Sequence, residues 1–282
     1  MKRCVSLTCS ITQRRGRTMK KLTAFILGLA LLVVCLSACE IAPKTEKPDV
    51  SLLELPGVKW GATVEEVKQA LNVTDKQIIS DQAYGDNTWS LWVADVTMFG
   101  EKVAYANLIF MNFPWHEEYG LCDVQLYYPD ETDMTGVKDV LVEIYGEPKD
   151  GLGFTRYKVS QGTVESYTDS GTDLAAYEGQ STRMINWWES SAKRADVLPA
   201  DVMDAMIESG IIDFTGNVVD TSDPSSREAV LECLKKDPAV FLYCTDSSSA
   251  GTVGAEHYTK NVVHFDATQY MWQLLRYSRP TC

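Results

Sequence analysis

Apolar and polar positions along the chain alternate between two periods, and the change from one to the other marks the elements. Val64, Val67, Ala70 and Leu71 recur at helical spacing. Thr63 stands before them as a cap, with Glu66 three residues on able to reach back to it, so the pattern predicts a helix start. From Trp89 to Met98 and from Val103 to Phe113 the chain is rich in aromatic and branched residues, with Gly100-Glu101-Lys102 as a turn between them. In Leu121 to Tyr128 the residues Cys122, Val124, Leu126 and Tyr128 point one way and Asp123 and Gln125 the other, the pattern of an antiparallel strand with one face covered. Val137, Val140, Leu141 and Ile144 return to helical spacing, and Tyr145-Gly146-Glu147-Pro148 predicts the stop. Two further strands are expected at Phe154 to Val159 and Thr182 to Glu189.

Beyond residue 191 the texture changes. Pro199 to Ser209 reads as a helix followed by Gly210, and Ser225-Ser226-Arg227-Glu228 caps another that stops before Pro238. Val240 to Cys244 and Asn261 to Phe265 read as short buried strands, and a last helix runs through Met271, Leu274 and Leu275. The expected class is α+β: an antiparallel sheet with helices packed on one face at 57–191, and a C-terminal α+β subdomain or elaboration at 192–282.

Upstream of all this lies an uncharged apolar run from Leu22 to Leu36, preceded by Lys20-Lys21 and followed by Ser37-Ala38-Cys39. A basic n-region, an apolar h-region and small residues at the cleavage point are the parts of a secretory signal. Leu36-Ser37-Ala38-Cys39 resembles the lipobox of bacterial lipoproteins. That resemblance implies a signal peptide over 1–38 with its true start at Met19, a lipidated Cys39 facing outside the cytoplasm, and a tether over 39–56 rich in charge and proline. A retained transmembrane helix is the alternative for Leu22 to Cys39.

Charge sharpens the class. The chain carries a formal −13; residues 1–38 hold seven Lys/Arg and no Asp or Glu, so their loss takes it to −20. Such a surface repels phosphate backbones and anionic headgroups, so no nucleic-acid partner is expected and membrane attachment falls to the lipid anchor. Of the cysteines after Cys39, namely Cys122, Cys233, Cys244 and Cys282, the pair Cys233 and Cys244 is closest in sequence and is the one to consider for a disulfide; buried free thiols are the default.

Trp60-Gly61-x-Thr63-x-x-Glu66-Val67 and Tyr145-Gly146-x-Pro148, framing three strands, are similar to a module of uncharacterised bacterial lipoproteins. They loosely resemble the helix-plus-sheet domains of the β-lactamase-inhibitor-protein and small outer-membrane-assembly lipoprotein group. The resemblance implies a protein-binding fold without catalytic residues.

Candidate chemistry is sparse. Gly-x-Ser-x-Gly, Cys-x-x-Cys and a phosphate loop are all missing from the sequence, and His116 lacks the second histidine of a zinc helix, so no cofactor or metal is expected. His264, at a strand end beside Asp266, is the first residue to test as a base if the protein is a cell-surface hydrolase. Trp187 and Trp188, adjacent in a strand, must face opposite sides of the sheet, which offers an aromatic binding surface for a protein or glycan partner unless the C-terminal half covers it. A non-enzymatic binding or envelope-associated module leads, with the hydrolase as the alternative.

Overall fold

The computed structural model describes residues 47–85, 87–151, 154–169, 185–212, 218–245 and 261–278. These belong to one compact unit, Lys47–Cys282. Among the described residues twelve strands are formed: β1 (Ile78–Ala83), β2 (Thr88–Ala94), β3 (Thr97–Met98), β4 (Glu101–Lys102), β5 (Tyr105–Met111), β6 (Gly120–Tyr128), β7 (Lys149–Gly151), β8 (Phe154–Ser160), β9 (Thr163–Asp169), β10 (Ile185–Glu189), β11 (Phe241–Thr245) and β12 (Asn261–Asp266). The helices are α1 (Val64–Ala70), α2 (Met134–Tyr145), α3 (Arg194–Val197), α4 (Ala200–Ser209), α5 (Pro224–Lys236) and α6 (Thr268–Tyr277). Eight strands make one sheet in the order β1-β2-β5-β6-β12-β11-β10-β7, each pairing antiparallel. The expected α+β class is what forms.

Register explains the core. Leu91, Leu108, Val124, Phe265, Leu242 and Trp188 are successive partners across six strands, so the pleat sends all six to one face. All are buried, and Tyr145 at the end of α2 sets its ring 5.9 Å from that of Phe265, which places α2 on this face. At its β1 margin Lys68 of α1 reaches Asp81 at 2.6 Å, and Trp89 Nε1 donates to the same carboxylate at 2.6 Å. The two sequence motifs have local causes. Thr63 and Glu66 form the reciprocal cap of α1, and Gly61, at φ +81°, brings the backbone so close to β6 that its N–H donates to Leu121 O at 2.9 Å. The Gly61 Cα lies only 3.2 Å from where a Cβ on Gly120 would stand.

The structure corrects several boundaries. The sheet runs straight through the division expected at residue 191: β12 lies between β6 and β11, so the C-terminal part is an elaboration of the same sheet. The expected tether reaches too far, because Leu53 and Leu55 are buried and Tyr145 Oη donates to Glu54 O at 2.6 Å. The long strand expected from Trp89 to Met98 breaks at Asp95, which has a positive φ, and continues as the small β3–β4 hairpin. Asp223, two residues before the expected cap at Ser225, caps α5 through Ser225 N, with Pro224 in the first turn.

Candidate functional site

The same pleat that builds the core sets a second row on the opposite face. Trp92, Asn107, Gln125, His264, Tyr243 and Trp187 are successive register partners there, and Ile109, Asp123, Asp266 and Phe241 form the next row. Polar residues thus meet at the centre of the sheet, where β6 and β12 pair. The hairpin β8–β9 stands over this face and is tied to it by Arg156, whose guanidinium lies 4.2 Å over the Phe241 ring and bonds Asp266 Oδ2 at 2.8 Å. Between the hairpin, α5 and the sheet lies a cleft of about 590 Å³ whose floor includes Asp123, Gln125, Tyr243, His264 and Asp266. Val230, Cys233 and Leu234 of α5 line another wall, and Tyr84 and Tyr167 line it as well.

His264 is buried and holds partners on both ring nitrogens. Nε2 meets Asp123 Oδ2 at 2.5 Å, and Nδ1 meets the Tyr243 hydroxyl. Nε2–H donates to the Asp123 carboxylate and Nδ1 shares a hydrogen bond with the tyrosine hydroxyl, so both ring nitrogens are engaged. The residue expected to partner His264 was Asp266; it is on the same face two residues away, but the carboxylate that bonds the imidazole is Asp123 of β6. Asp266 is instead held by Arg156 and by the N–H of Thr268 at 2.9 Å. Burial pushes its carboxyl upward; the Arg156 and His264 charges and the Thr268 hydrogen bonds outweigh that and hold it below the ordinary carboxylate range.

At another part of the lining Arg194 and Asp237 form a buried ion pair at 2.9 Å. Burial dominates at Asp237 and raises its carboxyl despite the nearby Arg194, Arg156 and Lys193 charges and the Tyr157 N–H. Arg194 Nε and Asp237 Oδ1 are buried with no hydrogen-bond partner among the described residues. Beside them the Cys233 thiol donates to Tyr157 O at 3.3 Å. Cys122 is the extra residue of a β-bulge: Ile109 pairs with Asp123 and Phe110 with Leu121, leaving Cys122 unopposed, and its thiol turns to Ile109 O at 3.3 Å. It therefore leaves the alternation expected for it and lines the cleft. Burial drives its thiol well above the usual range.

Trp187 and Trp188 do point to opposite faces, but both are buried, 7% and 3% exposed, so they offer no binding surface. Trp187 packs with Phe241 and Tyr243 of β11, with Lys149 over its ring, and Trp188 joins the main core, its Nε1 donating to Gly146 O. Cys233 and Cys244 are free thiols. Cys244 shares the core face with Val263 while Cys233 lines the cleft on the other side, so the sheet separates them and no bridge forms. His116 ties its loop to the last turn of α6 through Leu275 O at 2.8 Å. Cys39, His257 and Cys282 lie outside the described residues. Among the described residues no cluster of His, Cys, Asp and Glu is arranged to hold a metal, and no helix is long and apolar enough to cross a membrane.

Sequence reasoning missed Asp123, Gln125, Arg156 and Tyr243 as site residues. The first two were visible as the polar phase of an alternating strand; the others acquire a role only from strand pairing and from the hairpin's fold-back. Compared with family models, with curated proteins and with solved structures, the chain matches none.

Proposed function

We propose that the protein is a lipid-anchored, extracytoplasmic binding protein, held to the membrane through Cys39 and taking its ligand in the cleft on the second face of the sheet. The observation that carries the binding reading is the state of the cleft's chemical groups. The volume suits a small ligand, yet both nitrogens of His264 are hydrogen-bonded and Asp266 is held by Arg156 and Thr268. A base needs a free nitrogen within reach of a substrate proton, and this imidazole would have to leave a partner to offer one. The groups are arranged to hold shape, which suits binding better than hydrolysis.

One experiment separates binding from hydrolysis. The full chain is loaded with envelope extract and the bound small molecules are recovered by mass spectrometry. A ligand returned intact supports binding. A ligand returned cleaved, with cleavage lost in His264→Asn, overturns the non-enzymatic reading. The anchor is supported by Leu36-Ser37-Ala38-Cys39 and is tested by metabolic labelling with a fatty-acid analogue: Cys39→Ala is expected to abolish the label, and undiminished label would sink the anchor.

A further inference from the structure

The charged groups of the cleft are paired, while Arg194 Nε and Asp237 Oδ1 keep hydrogen-bonding capacity that no described residue meets. Asp123 meets His264 at 2.5 Å, Asp266 meets Arg156 at 2.8 Å, and Asp237 meets Arg194 at 2.9 Å. Lys158, half-exposed, faces Glu165 across the hairpin at 3.8 Å. A charged ligand would have to desolvate beside these pairs and compete for one partner, leaving the other buried and unpaired, which costs more than the new contact returns. An anion would meet, in addition, the field of a chain with formal charge −13. A neutral ligand leaves every pair in place.

Three more features describe that neutral ligand. Gln125 accepts at Oε1 from the Tyr127 hydroxyl at 2.7 Å and, at 3.5 Å, from Asn107 Nδ2, an orientation that leaves Nε2 as a donor with no protein acceptor among the described residues. Ile109, Met111, Val230 and Leu234 give the lining an apolar wall. Tyr84, 73% exposed, and Tyr167, 42% exposed, also line the cleft, the Tyr167 ring with Lys158 Nζ over it at 5.9 Å and the Tyr84 side chain largely open to solvent. A ligand matched to all three carries a flat apolar face for a tyrosine ring, a carbonyl for the Gln125 N–H, and a small apolar group for the wall, with hydroxyls otherwise.

From this juxtaposition of paired charges, an oriented amide donor, an apolar wall and exposed tyrosines, we propose that the cleft binds a neutral N-acetylated amino-sugar oligosaccharide. The pyranose face stacks on tyrosine, the acetamido carbonyl accepts from Gln125 Nε2, and its methyl meets the apolar wall. This rests on the binding reading above and specifies its ligand class.

The test uses the full chain in a detergent without a sugar headgroup, titrated calorimetrically with tetra-N-acetylchitotetraose. Cellotetraose, neutral but lacking the acetamido group, and the de-acetylated glucosamine tetramer, cationic, are the comparison ligands. The acetylated sugar is expected to bind, with cellotetraose at least about tenfold weaker and the cationic sugar weaker still. Tyr84→Ala, at an exposed position that leaves the core untouched, and Gln125→Met, checked for folding by circular dichroism, are each expected to weaken binding by about five- to tenfold. Equal affinity for cellotetraose overturns the acetamido assignment, and equal or tighter binding of the cationic sugar overturns neutrality. If no sugar binds while the chain still retains an intact ligand from envelope extract, the saccharide proposal fails and the binding reading stands. If nothing is retained from either source, both fail.

Discussion

At the level of single residues, the cleft depends on ion pairs whose two members come from distant parts of the chain. Asp266 is the clearest case. Its carboxyl sits below the ordinary range, so in the folded state it stabilises the protein above the ordinary carboxylate pKa, and that contribution is lost as pH falls through the depressed value. Replacing Arg156 with Met leaves burial as the leading influence. A carbon-detected NMR titration is then expected to find the Asp266 pKa displaced upward and acid unfolding beginning at higher pH; an unmoved titration would show that Arg156 is not what holds it. Arg194 and Asp237 behave differently, because burial has raised the Asp237 carboxyl and its ionisation is a cost to the fold that eases as pH falls. Arg194→Met alone is expected to destabilise by about 3–5 kcal/mol, and Arg194→Met with Asp237→Leu by much less, since an unpaired buried charge is worse than none. Urea denaturation of the two variants and the parent measures the difference.

Among the elements, those the sequence disclosed are those whose pattern is their own. The helix at Val64 declares itself through Thr63 and Glu66, and the β6 alternation already separates Asp123 and Gln125 from Val124 and Leu126. The elements that escaped are polar. β1, Ile78–Ala83, is an edge strand whose Asp81 is held by Lys68 and Trp89, contacts with no local signature. β9, Thr163–Asp169, is a polar ribbon, and the turn before it became evident only in the structure, where Gln161 and Gly162 both have positive φ, as a two-residue hairpin turn requires. His264 was readable as a candidate, but its partners lie on β6 and β11, and no spacing in the sequence marks Asp123 as a neighbour 141 positions away. Gly210 ends α4 at φ +70°, and a Cβ there would stand 2.5 Å from Val219 O. Gly210→Ala is expected to cost at least roughly 1–2 kcal/mol from the left-handed backbone alone. A thermal melt that matches the parent would mean the α4 terminus repositions freely.

Across the whole molecule, the cleft and the core share one sheet and cannot be separated by cutting the chain. Residues 57–191 look self-contained in sequence because they carry helices and strands in a regular order; what they lack is the pair of strands that complete the sheet's middle. A chain ending at residue 191 is expected to show no cooperative urea transition and a weak near-ultraviolet dichroism signal, whereas a sharp transition would restore an independent first domain.

The place of β12 has a consequence for how the protein comes to be. Asn261–Asp266 emerges after all the other described strands, yet it separates β6 from β11. Until it arrives, β6 and β11 present open edges to one another and to other chains, the state in which sheets pair wrongly. Contacts as far apart as Val124 and Phe265 also make closure slow. Newly made chains therefore pass through a window of vulnerability that ends only when one six-residue strand slots home, and in that window a chaperone would have most to do.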